Sequence, residues 1–504
     1  MFFKIRMFVP VFIIFAILCG MFSAVPVQAA KKPPRTPTAT YVPTSAPTVT
    51  NTAEPLTTIR YVKWNATGVS NGTSWADAFT DLQSALAATS SGEEIWVAAG
   101  TYKPTSGTDR TVSFVLKNGV AVYGGFAGIE TLLSQRNHET NITVLSGDIG
   151  NVNDNSDNSY HVVVGSNTNY SAVLDGFTVT GGNANQSQLD TGGGMLNYRG
   201  SPTVSNVLFS ANSAGLGGGM YNGGDPGLIN DGSHPVLMNV VFDGNSAIEG
   251  GGMENQFYSS PTLTNVTFRS NTAIRSGGGM LNNSYSNPVL MNVTFSGNSA
   301  SGGGGMANGQ SSPTLTNVTF KDNSATDIGG GLYNLYVSSL SITNVTFSGN
   351  EAGQGGGIYN EYAFPIITNS ILYSNIGGEI YNYSGTSTVT YSIVQGGYPG
   401  TGNLDADPLL GPLQDNGGFT QTMALSSGSS AVDAGDDSNC PETDQRGVSR
   451  PQGSRCDIGA YEYEFPVSST LTLTHTPTST FTPTNTPTPT VTPKPVKPTK
   501  TPRR

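Results

Sequence analysis

Charge is scarce in this chain: Asp, Glu, Lys and Arg make up 11% of its 504 residues. Basic charge is scarcest where the sequence is richest in pattern. Residues 59–465 hold 13 Lys and Arg against 33 Asp and Glu, a net of −20. A body of that sign repels nucleic acid and anionic lipid, which excludes a DNA- or RNA-binding role. Histidine is rarer still, with four in all, at 138, 161, 234 and 475. Cysteine is limited to three, at 19, 440 and 456. Helical spacing is missing throughout 170–400, so a helical core is not expected there.

Abundance lies elsewhere. There are 64 glycines, and hydrophobic residues reach 36% and recur at fixed intervals. Periodic apolar residues mark a packed repeat fold rather than a disordered chain.

The two ends differ from the body. Lys4 and Arg6 precede an apolar run over 7–22, and Val27 and Ala29 supply small or short residues before a cleavage point, so 1–29 is read as a signal peptide. The run is short for a membrane span, and no span is expected after cleavage. Residues 30–58 and 466–504 are rich in Pro and Thr, as in Thr486-Pro487-Thr488-Pro489, and are expected to be extended, solvated spacers. The tail carries five basic residues and no acid, a weak electrostatic patch for an anionic envelope polymer. Export leaves Cys440 and Cys456, an even pair expected to form a disulfide.

Between these ends one unit repeats. It reads Asn-Val-Thr-Phe-x-x-Asn-Ser-Ala, then Gly-Gly-Gly-Met-x-Asn, then Ser-x-Pro-Thr-Leu-Thr. Phe209, Phe242, Phe268, Phe295, Phe320 and Phe347 form one column, with Leu372 in the same place. Met195, Met220, Met253, Met280 and Met306, then Leu332, Ile358 and Ile380, form a second. A period of about 26 residues suits one coil of three short strands, with coils stacked about 4.8 Å apart. The expected fold is therefore all-β, a right-handed single-stranded parallel β-helix. The Phe, Met and Ala columns are read as its interior, in preference to a copper-binding Met stripe.

Parity adds a corner. Val266 and Phe268 share one face of a strand, but Leu263 has the opposite parity. If Leu263 is also inside, the chain bends at Thr264-Asn265, and Asn tolerates the left-handed backbone such a bend needs. That Asn recurs at 206, 239, 265, 292, 317, 344 and 369. Two further Asn columns run from 212 to 375 and from 197 to 382. Stacked coils align like side chains, so these columns are read as amide ladders rather than glycosylation sites.

A stack needs closed ends. Ser74 and Asp77 resemble a capping pair opening a short helix, with Trp75, Phe79, Leu82 and Leu86 on one face and Gly92 ending it. Residues 59–169 are thus read as an N-terminal cap with irregular first coils, 170–399 as the repeats, and 400–465 as a C-terminal capping segment holding the disulfide.

The Gly-Gly-Gly-Met and Phe-x-x-Asn motifs resemble the repeat of the polymorphic outer-membrane proteins, whose motifs are Gly-Gly-Ala-Ile and Phe-x-x-Asn. The resemblance covers about 170–385. It implies a surface adhesin or autotransporter passenger, although the C-terminal translocator barrel of that family has no counterpart here. Asp407-Pro408-Leu409-Leu410-Gly411, Asp433-Ala434-Gly435-Asp436, Asp444-Gln445-Arg446-Gly447 and Asp457-Ile458-Gly459-Ala460 are similar to a domain of variably anchored bacterial surface proteins.

A rival reading is a polysaccharide lyase or glycoside hydrolase, because parallel β-helices host such enzymes. Each needs clustered acids on one face. No His stands between glycines, Asp436-Asp437 lies outside the repeat, and no Asp column runs up the coils, so no catalytic residue is assigned. Asp444 and Arg446 are read as an ion pair. Asp148, Asp154 and Asp157 lie in an oxygen-rich loop that is a calcium candidate. Extra residues at 183–191 and 223–234 are expected to gather on a binding face. Tyr198, Tyr221, Tyr258 and Tyr285 lie in or near these loops and are the candidate residues for stacking on sugar rings. The expected role is a secreted or envelope-attached scaffold for adhesion or glycan contact, with a purely structural spacer as a further alternative.

Overall fold

The computed structural model describes residues 58–465, apart from 153, 188–189, 230 and 337. The signal peptide, the 30–58 linker up to residue 57 and the 466–504 tail lie outside these residues.

The repeats wind into a right-handed parallel β-helix. The coil from Thr262 shows how the sequence builds one turn. Thr262–Arg269 forms the first strand, Thr272–Ala273 the second and Met280–Asn283 the third. Each pairs in parallel with its equivalent one coil on, Phe268 opposite Phe295 and Met280 opposite Met306. Among the described residues, the repeats and the irregular coils before them form three parallel sheets of 18, 6 and 10 strands.

The first strand bends where parity requires. Leu263, Val266 and Phe268 are all fully buried. Asn265 between them has φ of 57°, and its six equivalents lie between 49° and 57°. The Asn265 side chain donates to Asn239 Oδ1 at 3.1 Å, and Asn292 donates to Asn265 at 3.2 Å. The Phe rings stack face to face with centroids 4.6–5.0 Å apart. Glycine makes the next corner possible. A Cβ on Gly277, at φ of 71°, would stand 2.5 Å from the Met280 carbonyl, and one on Gly279 would stand 2.8 Å from Phe295.

The N-terminal end is closed by a helix, α1 (Leu82–Ala88), which buries Leu82, Ala85 and Leu86. It opens later than the sequence pattern implies. Asp81, not Ser74, caps it, accepting from the Ser84 N–H at 2.8 Å. Ser74 and Asp77 do bond one another at 3.1 Å, but within a turn. The backbone of Phe79 is already engaged by the first strand, Ile59–Val62: its N–H donates to Tyr61 O at 2.9 Å and its carbonyl accepts from Lys63 at 2.8 Å. Trp75 turns aside and donates to Glu130 O. Thr89 ends the helix, and Gly92 lies in the following turn.

The 400–465 segment closes the other end only in its first residues. Leu404 bridges Ile393 on the last coil. The chain then runs back along the outer side of the first sheet. Gln445 donates to Thr294 Oγ1 and accepts from Thr319 Oγ1, at 2.8 and 2.7 Å. Asn317, Asn344 and Asn369 donate to Thr443, Asp457 and Asp436 carbonyls. The last corner asparagines thus fasten this segment to the helix. Cys440 and Cys456 are joined by a disulfide. Two buried ion pairs complete its small core, Arg450–Glu462 and Arg446–Asp444, each at 2.8 Å. Burial raises the Asp457 carboxyl to about 6.

Candidate functional site

The corner after the third sheet carries the most distinctive exposed chemistry. Three positions before Pro261, Pro288, Pro313 and Pro365 stand Tyr258, Tyr285, Gln310 and Tyr362, and Tyr336 takes the equivalent place between the last two. All five have left-handed backbone, with φ from 51° to 64°. That conformation is uncommon for bulky residues and persists only where the surroundings over-determine it. Here they do. Tyr285 N donates to Gln310 O, Gln310 N to Leu335 O and Tyr336 N to Glu361 O, at 3.0–3.2 Å. The next residue turns inward: Ser259 N donates to Ser286 Oγ, and Ser286 N to Ser311 Oγ, all three serines fully buried. The serine ladder faces in, so the tyrosines face out.

Tyr285, Tyr336 and Tyr362 are 53%, 50% and 44% exposed. Tyr258 stacks on Tyr285 at 5.5 Å and 15°, and Tyr336 on Tyr362 at 6.1 Å and 14°. Tyr383 meets Tyr362 edge-on at 6.0 Å. Between the two stacks Gln310 replaces an aromatic ring, leaving a cavity of about 310 Å³ lined by Tyr285, Asn287, Gln310, Ser312 and Tyr336.

Of the four tyrosines expected to contact sugar, only Tyr258 and Tyr285 come together here. Tyr198 is exposed but lies in another column, beside Arg199. Tyr221 is 7% exposed on the outer face of the third sheet, its hydroxyl 3.3 Å from Gln256 Oε1. The 223–234 insertion is held back onto the coil by Arg199, which pairs with Asp231 and Asp225.

Tyr336, Tyr362, Tyr383 and Gln310 escaped the sequence reading. Counted from the preceding Asn column, the tyrosine offset slips from three residues to two. Counting back from the proline recovers most of the column.

A second feature is electrostatic. Glu254 follows Tyr221 in register on the third sheet and is completely buried. Its Oε1 accepts from Gln256 Nε2 at 2.5 Å, and its Oε2 has no hydrogen-bond partner among the described residues. Burial, then the charges of Glu249 and Asp190, push its carboxyl well above the ordinary range. Enclosure keeps this acid from solvent.

In the calcium-candidate loop, Asp154 caps a turn by accepting from Ser156 N at 2.9 Å, and Asp157 accepts from Asn151 N at 2.8 Å. Asp148 donates its backbone N–H to Ser146 Oγ. Among the described residues no three His, Cys, Asp or Glu side chains converge as a metal site. Asp436 likewise caps a turn, and bonds from Asn439 and Ser438 lower its carboxyl.

Residues 317–335 and 344–361 match the family model of the Chlamydia polymorphic membrane protein repeat. The chain carries polymorphic-membrane-protein-like repeats. The first match holds the corner Asn317, the core Phe320, the ladder residues Asn323 and Asn334, and the Gly329–331 corner, which are the structural skeleton of the coil. No curated protein sequence matches the chain. Among solved structures, the pectate lyase Pel9A is similar at 16% identity and a TM-score of 0.50, covering 80% of this chain and 96% of its own. XylC, solved in a complex with xylose, is similar at 9% identity and a TM-score of 0.45, covering 80% and 98%. At such identity the likeness to Pel9A shows the parallel β-helix fold alone. Among the described residues no helix is long and apolar enough to cross a membrane.

Proposed function

We propose that the chain is an exported, non-catalytic β-helix that holds glycans at the cell surface. Export rests on the 1–29 signal peptide, and surface display on the repeat and on the surface-protein resemblance of 400–465. The observation that carries the reading is the corner column of Tyr258, Tyr285, Tyr336 and Tyr362, with Tyr383 packed edge-on against Tyr362. Aromatic rings with polar tips bind well where one side is wet, and rings fixed by the backbone lose little entropy on contact. A lyase or hydrolase would need carboxyls open to substrate, and Glu254 is sealed.

The test is retention of the purified chain on plant, algal and bacterial polysaccharides, with and without calcium, alongside an assay for released sugars. Retention without release is expected, weakened roughly tenfold in a Tyr285→Ala/Tyr336→Ala variant. Reproducible cleavage, lost on changing one acid, would overturn the reading.

A further inference from the structure

The tyrosine column is broken at one coil, and the break has the dimensions of a ligand. Backbone bonds place Tyr285, Gln310 and Tyr336 on three successive coils. Two coil steps separate the planes of Tyr285 and Tyr336 by about 10 Å. Carbon contacts of about 3.5–4 Å on each side leave roughly 2–3 Å between them, more than a flat aromatic ring fills and enough for a puckered saturated ring with its axial substituents. Tyr285 and Tyr336 are each backed by a near-parallel partner, Tyr258 and Tyr362, which holds the walls of the slot.

The edges are polar and uncharged. The Gln310 side chain is exposed and makes no hydrogen bond with the described residues, so both ends of its amide are free for a ligand. Ser312 Oγ accepts from Ser339 N at 2.9 Å, which leaves its hydroxyl proton to donate. Asn287 is fixed beside it, accepting from Ser312 N at 2.6 Å and donating to Tyr285 O at 3.2 Å. Among the described residues no Asp, Glu, Lys or Arg lines the cavity. Apolar faces with hydroxyl-matching edges and no charge describe a neutral sugar ring.

We infer that the Gln310 slot binds one neutral pyranose residue, sandwiched between Tyr285 and Tyr336. This rests on the glycan-holding reading and assigns its central subsite. The remaining tyrosines extend the contact along a longer polymer.

The test uses the full chain, with methyl glycosides of glucose, galactose, mannose and N-acetylglucosamine as probes and methyl glucuronoside as the charged control. Binding is read by saturation-transfer NMR and calorimetry. The decisive variant is Gln310→Tyr. It completes the column, and the fold already accepts tyrosine at this backbone angle in Tyr336 and Tyr362, so its melting temperature should match or exceed that of the parent. At least one neutral glycoside is expected to bind the parent chain, to bind Gln310→Tyr at least roughly tenfold more weakly, and to outcompete the glucuronoside. Undiminished binding in Gln310→Tyr, equal binding of the glucuronoside, or polymer retention with no glycoside bound overturns the slot and leaves the glycan-holding reading standing. Failure of the parent chain to retain any polysaccharide or bind any glycoside overturns both.

Discussion

Asn271 and Asn298 share one oxygen twice over: both the side-chain Nδ2 and the backbone N–H of Asn271 donate to Oδ1 of Asn298, each at 3.0 Å. Asn245 makes the same pair of bonds to Asn271. Nδ2 of Asn271 also reaches the Phe242 carbonyl at 2.9 Å. Each rung therefore serves two coils and closes the corner behind the Phe column. Asn271→Ala orphans groups on both sides, at about 1–3 kcal/mol each. A loss of roughly 2–4 kcal/mol is expected in urea unfolding. Asn382, half-buried at the end of its column, should cost less on the same change. Equal, small losses at both sites would sink the ladder argument.

What the sequence made legible is what repeats. The Phe, Met and Asn columns appear in nearly every coil, and the parity clash between Leu263 and Phe268 located the bend at Asn265. The capping helix was placed too early because Ser74 and Asp77 satisfy a local cap pattern, while the competing bond from Phe79 to the Tyr61 carbonyl is non-local. The return of the 400–465 segment along the flank rests on contacts such as Gln445 to Thr319, more than a hundred residues apart in sequence. Nothing periodic announces such contacts. The tyrosine column lay between these cases: periodic from the proline, irregular from the asparagine.

Glu254 gives the protein a pH dependence. Its carboxyl is raised by burial and by Glu249 and Asp190. Below the ordinary value it is protonated in both folded and unfolded chains and adds no penalty. As pH rises above that value, the unfolded chain releases a proton that the folded chain keeps, so stability falls until the folded carboxyl itself ionises. Glu254→Gln removes this cost and retains a side chain able to bond Gln256. It should stabilise by about 1–3 kcal/mol at neutral pH, and the gain should vanish at pH 4. Melting curves at the two pH values decide it; a gain at both would point to packing instead.

The disulfide acts on the flank segment rather than on the coils. It closes a loop of sequence separation 16 between Cys440 and the buried Cys456. In the chain-entropy model such a loop contributes about 3 kcal/mol. A Cys440→Ser/Cys456→Ser variant should therefore lose protection against hydrogen exchange at residues 433–463 first. Protection at the core strands Thr262–Arg269 and Val289–Ser296 should stay unchanged. Simultaneous loss in both regions would show that the segment and the coils unfold as one unit.

Phe295 tests whether the core is a sum of neighbouring coils. Its ring lies between Phe268 and Phe320, at 4.8 and 4.7 Å, and is fully buried. Truncation to alanine opens a void that two flat rings fill poorly, at about 3–5 kcal/mol. Phe295→Leu should cost clearly less, because Leu372 already occupies this column two coils above Phe320 and is fully buried there. Coils that touch only their neighbours transmit the defect only to those neighbours. Hydrogen exchange on Phe295→Ala should therefore show lost protection at Thr262–Arg269 and Thr314–Lys321, and little change at the N-terminal strands Glu94–Ala98 and Ala121–Phe126. Uniform loss along the whole chain would mean that the stack folds as a single cooperative block, and the additive account of its stability would have to be abandoned.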